Sequence, residues 1–230
     1  MKKMIAVAVL IAGLGTTAYA EARTISVTGQ ASSDAIPDMA IVSVSVTRTA
    51  DEAEGALNAT SEAVAGVIAR LEDLGVAPRD MQTSGLNLQP IWSRPTDGTV
   101  ERQQITGFSA RNGLTVRVLE LDSLGPLLDA VVQDGANGFE GLRFSLRDTT
   151  AAMSEARAEA VRDGMAKAGE IAEAAGVELG PVMSITENGG GPRPVALEMA
   201  SARMSDGVPI AAGEVSVSVS VSMQFEILED

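Results

Sequence analysis

The side chains able to do chemistry are few, and the missing ones narrow the field first. The 230-residue chain contains no histidine and no cysteine. That removes Ser–His–Asp and Cys–His nucleophiles, structural zinc, His-ligated haem and iron–sulfur clusters. A serine–lysine dyad would have to use Lys167. That lysine sits in a charged helical stretch without the Ser-x-x-Lys spacing, and it reads as a solvated side chain. Carboxylate pairs for glycoside hydrolysis are available among 31 acidic residues, yet Trp92 is the only tryptophan to hold a sugar. Met199 and Met204 offer soft thioethers to Cu(I) or to an oxidant, but their spacing makes no tight ligand set. Walker, dinucleotide-binding and EF-hand patterns are absent, and "NGGG" at Asn188 runs into a proline-rich stretch rather than a phosphate-binding helix. The residues therefore name no catalytic, cofactor-binding or metal-binding site, and the expectation is a protein that is not an enzyme and needs no cofactor. A carboxylate-only hydrolase and a methionine-based soft-metal or oxidant sink stay open as alternatives.

The elements that would position any site begin after an export signal. "MKK", the apolar "MIAVAVLIAGLG" and the small-x-small "AYA" predict a signal peptide over residues 1–20, cleaved after Ala20. No later stretch is long and apolar enough to span a bilayer, so a periplasmic protein is expected, not membrane-spanning after cleavage. The formal net charge is −14, and cleavage would remove Lys2 and Lys3 but no acid. A chain this acidic repels nucleic acid and anionic headgroups, so no nucleic-acid partner is expected.

Strands and helices then alternate. "TISVTGQAS" and "DMAIVSVSVTRT" read as strands, and "TADE" at Thr49–Glu52 fits a capping box before a helix that ends at Gly75. "DMQTSGLNLQPIW" and "ITGFSARNGLTVRVLEL" are strands, followed by a short helix over Leu124–Gln133 and the strand "NGFEGLRFSLRD". A long helix spans Thr150–Ala175, and "GPVMSITE" is a strand. In that helix Ala156, Ala160, Gly164, Ala168 and Ala172 recur every four residues, a ridge without bulk suited to close packing on a sheet. The stretch 188–212 is rich in Gly and Pro and aperiodic, and reads as a flexible loop.

The last strand, "GEVSVSVSVSMQFEIL", alternates valine and serine without a slip. Such a dyad serves either a soluble sheet or an outer-membrane barrel. Three interleaved helices and the scarcity of aromatics exclude the barrel. The valines must face helices and the serines water or another subunit. If this strand lies at a sheet edge it has no proline, charge or bulge to defend it, and it would pair with a second chain. The competing expectation is a central strand already paired on both sides.

"ISVTGQASSDAIPDMAIVSVSV", "RDMQTSG", "DGANGFEG", "AGVELG" and the closing "PIAAGEVSVSVSVSMQFEI" together resemble the SIMPL-domain family, in order and over nearly all of the chain beyond the signal. The resemblance implies an α+β fold: mixed, largely antiparallel sheets packed with three helices in two small lobes, the middle one ferredoxin-like. The lobes are expected at about residues 21–104 plus 213–230, and at about 105–187. It also implies homo-oligomers, a possible envelope protein partner, and roles in envelope or oxidative-stress defence without an established catalytic set. Gly164 stands where the family's helix usually has alanine, which would weaken that helix by about 0.5–1 kcal/mol.

Overall fold

The computed structural model describes residues 23–93, 103–188, 192–194 and 210–228. The expected signal segment, Met199 and Met204 lie outside them. In chain order the elements are β1 (Thr24–Ala35), β2 (Met39–Ala50), α1 (Ala53–Asp73), β3 (Met81–Trp92), β4 (Ile105–Val118), α2 (Leu124–Gln133), β5 (Gly138–Ser145), α3 (Thr150–Ala175), β6 (Glu178–Asn188), β7 (Pro192–Pro194) and β8 (Val215–Leu228).

Period-two alternation builds the first sheet. Val42, Val44 and Val46 of β2 are buried, and successive residues between them turn to the opposite face. α1 buries Val64, Val67 and Leu71 at helical spacing. These residues join Leu114, Val116, Leu124, Leu127 and Val131 in one core. The strands run in the order β3-β4-β2-β5, all antiparallel. With its β-α-β-β-α-β sequence, this unit is ferredoxin-like. Thr49 and Ala50 stay in β2, paired with Ser109 and Phe108. The expected Thr49–Glu52 capping box therefore does not form, and α1 starts behind Glu52 without a side-chain cap.

The second sheet has the order β1-β8-β6, with β7 pairing β8 alongside β6. α3 covers it, and Ala156, Ala160, Ala168 and Ala172 pack on Val27, Val219, Val221, Met223 and Phe225. The small ridge thus faces the sheet. Gly164 does more than soften the helix, because a Cβ there would lie 2.8 Å from the Met223 Sδ.

Strand pairing divides the chain differently from the lobes expected at about 21–104 plus 213–230 and about 105–187. The ferredoxin-like unit runs from Met39 to Ser145, whereas β1 leaves its neighbour β2 and joins β6 and β8. Hydrophobic period identifies a strand but not its partner, and β1 finds β8 across most of the chain length. The same pairing corrects the edge expectation. β8 is central: β1 flanks it from Val215 to Glu226, while β7 and β6 lie on its other side. β7 itself falls in the stretch expected to be loop.

Candidate interaction surfaces

Helices cover one face of each sheet, so the functional candidates are the two faces left open. On the second sheet, cross-strand register aligns Ser26, Gln224 and Ser184 in one row and Thr28, Ser222 and Thr186 in the next. Gln30, Ser220 and Asn188 make a third row. Paired residues share a face, so these side chains form a grid of hydroxyls and amides with no ionisable group in it. Asn188 Nδ2 donates to Ser222 Oγ at 2.8 Å, and Gln224 Nε2 donates to Thr24 Oγ1 at 3.0 Å. The grid is slightly concave and holds a hollow of about 290 Å³. Ser218 is exposed and Ser220 and Ser222 are half-buried, but Ser216 is buried, so the serine face is not uniformly wet.

The open face of the first sheet differs in carrying an ion pair within it, whereas on the second sheet Glu226 and Asp34 stand at the ends of the open face. Arg111 pairs with Glu140 beside Ser84, Asn87 and Gln89, around a hollow of about 470 Å³. Glu140 also borders an adjoining hollow of about 380 Å³ with Ser43, Thr115 and Arg143. Hydrogen bonds from Arg111 and then from Ser45 hold the Glu140 carboxyl below the usual range. Asp80 is buried at the margin of the sheet, and Arg117 contacts it at 2.8 Å.

The sequence candidates find other partners. Lys167 is half-exposed, but it bonds Asp163 at 2.6 Å and donates to the Thr28 carbonyl at 3.2 Å. Asp163 in turn accepts the Gln30 backbone N–H at 2.8 Å. The two side chains together close the free edge of β1, so Lys167 is engaged rather than merely solvated. Trp92 is half-exposed at the end of the β3–β4 hairpin. Among the described residues, the carboxyls whose titration is displaced, Glu140, Asp148, Asp163 and Glu187, all shift downward. A general acid working near neutral pH needs the opposite shift. Among the described residues, no three acidic side chains gather as a metal site would require.

The motifs that carried the family resemblance do architectural work. In "DGANGFEG", Gly135 adopts φ 115° with Arg48 donating to its carbonyl oxygen at 3.1 Å. The Asn137 side chain accepts the Thr47 N–H at 2.8 Å and donates to the Thr47 carbonyl at 2.9 Å. It stands in for one residue of a missing strand and finishes the exposed edge of β2. Gly138 is required because a Cβ there would lie 2.2 Å from Ser45 Oγ. In "RDMQTSG", Asp80 anchors Arg117 and Gly85 supplies the positive φ of a bulge. Asp38 of "PD" accepts the Arg147 N–H at 2.7 Å, fixing the link between β1 and β2. Gly176 of "AGVELG" is the left-handed cap of α3. Reasoning from residue types passed over Asn137, Asp80 and Arg143. Only the glycines around Asn137 signalled a tight backbone approach.

Comparison with known proteins places the chain in a family. Residues 25–225 match the family SIMPL, described as a protein of unknown function (DUF541). The chain is 41% identical over 210 residues to the 26 kDa periplasmic immunogenic protein of Brucella melitensis, covering 88% of this chain and 84% of that one. It is 28% identical over 216 residues to the uncharacterized protein YggE of Escherichia coli K12, covering 92% and 85%. The match spans both sheets, from β1 into β8, and the chain belongs to the SIMPL family.

Proposed function

We propose that this is a non-enzymatic periplasmic protein that acts through self-assembly and partner binding, in envelope or oxidative-stress defence. One observation carries the reading: the uncharged grid of Ser, Thr, Gln and Asn on the open face of the second sheet. A net charge of −14 makes two copies repel wherever their acids meet. The three rows centred on Ser220, Ser222 and Gln224 contain no acid, and Glu226 and Asp34 stand only at the ends of that face, so two copies approach there with less of that penalty. The small side chains let a second surface come close, and each hydroxyl both donates and accepts. The name of the Brucella relative supports the compartment, as does the signal pattern at Met1–Ala20. The stress role comes from the family resemblance. Light scattering on protein beginning at Glu21 tests assembly. A screen of glycan and ester substrates tests the non-enzymatic part, and turnover by wild type that is lost on Glu140→Gln would refute it.

A further inference from the structure

The other strand edges of the two sheets are defended, each in its own way. Asp163 and Lys167 close β1. Pro90 and the bulge at Gly85 interrupt β3, and Pro181 with two register shifts interrupts β6. β5 ends the first sheet beyond β2 without a proline and without a side chain closing its outer side, among the described residues; its one irregularity is a bulge at Glu140, where the register with β2 shifts between Ser43 and Val44. β7 comes near β5 but pairs only with β8. Phe139 at the start of β5 is left exposed.

The two sides of this edge differ chemically. On the helix side, Phe139 and Val132 are 59% and 65% exposed. With Leu128, Val131 and Ala136 they line an apolar groove of about 360 Å³ between α2 and β5. On the open side Arg143 stands opposite Ile41. Among the described side chains it is the one cation that neither donates a hydrogen bond nor enters an ion pair. A strand added to this edge would send alternate side chains into the groove and beside Arg143.

We propose that the β5 edge receives an extended segment of a partner protein, apolar at alternate positions and carrying one acidic residue against Arg143. Main-chain pairing supplies the attraction, while the groove and the guanidinium select the sequence. The acidity of the whole chain disfavours a segment with many acids, so a single carboxylate among neutral and basic residues fits best. This inference rests on the partner-binding half of the function proposed above.

The probe is a fluorescein-labelled peptide alternating valine and threonine, with one central glutamate on its threonine face and lysine at both ends, titrated by fluorescence anisotropy. Expected is saturable binding to wild type and none by the same peptide N-methylated along one edge. Val132→Lys and Arg143→Glu should each weaken binding about tenfold, and a peptide with lysine in place of glutamate should recover binding to Arg143→Glu. Both side chains are exposed, and thermal unfolding confirms that the variants fold. No binding to folded wild type, equal binding of the N-methylated peptide, or indifference to both substitutions overturns the proposal. If the two variants instead dissolve a wild-type assembly, the occupant is a second copy and the partner assignment falls. Failure of the peptide while wild type still assembles sinks this inference alone. A monomeric protein that binds the peptide sinks self-assembly alone.

Discussion

Gly29 of β1 and Gly164 of α3 pack backbone against backbone. A side chain on Gly29 would put its Cβ 2.6 Å from the Gly164 nitrogen and 2.0 Å from the Ala160 carbonyl oxygen. Both contacts are to main chain, so no rotamer change relieves them. The alanine ridge is the means by which a 26-residue helix comes this close to a strand.

Gly29→Ala should therefore push α3 off the sheet and destabilise by about 3 kcal/mol or more, at the upper end of overpacking effects. Ala168→Leu, fully buried on the same ridge, should cost about 1–3 kcal/mol with the fold retained. Urea denaturation measures both. A Gly29→Ala protein as stable as wild type would mean that the helix does not sit where it is described.

Asn137 carries a second expectation. Its side chain pairs with both the N–H and the carbonyl of Thr47, so Asn137→Ala should cost about 1 kcal/mol. Asn137→Asp should be worse, because a carboxylate cannot donate to the Thr47 carbonyl. Amide exchange at Thr47 should quicken in both variants. Unchanged exchange there would show that the side chain does not close this edge.

The Asp163–Lys167 pair makes a related prediction at β1. Asp163→Ala should speed exchange of the Gln30 amide, and Lys167→Ala should do so more weakly, by loosening Asp163. Exchange that distinguishes neither variant from wild type would return Lys167 to an ordinary surface residue.

The pH profile follows from which groups are present. With no histidine or cysteine, stability should be nearly flat between about pH 5 and 8. The Lys167 hydrogen bond, then that of the Gln30 amide, lowers Asp163, and the Arg157 hydrogen bond lowers Glu187. A carboxyl lowered in the folded state contributes stability above its unfolded value, near 3.8 for Asp and 4.5 for Glu. That contribution disappears as pH falls through the folded value. Denaturation midpoints should therefore fall from about pH 4 downward, and Glu187→Gln should shallow the decline. A step between pH 6 and 7 would contradict this.

Most elements were legible because their periods are clean: Val–Ser alternation gives β8, and the four-residue repeat of small side chains gives the buried face of α3. The family was legible from short motifs. Strand partners were not. Whether β8 lies at an edge or in the centre depends on β1 and β6, distant in sequence, and nothing in the alternation itself records that choice. The capping box failed for a local reason, since β2 extends its ladder with β4 through Ala50 before the helix can begin. Lys167 looked solvated because its charged neighbours are near in sequence, while the carbonyl it reaches, on Thr28, is far away.

The central claim, that the uncharged grid on the open face of the second sheet is a contact surface, is tested most directly by light scattering across micromolar concentrations. Protein beginning at Glu21 is compared with a Ser218→Lys, Ser220→Lys double variant. Both serines lie on the open face of a strand already paired on either side, so the lysines add charge to the face without breaking a ladder. Expected is a concentration-dependent homo-oligomer for wild type and a monomer of unchanged thermal stability for the variant. A wild type that stays monomeric, or a double variant that assembles equally well, would contradict the claim.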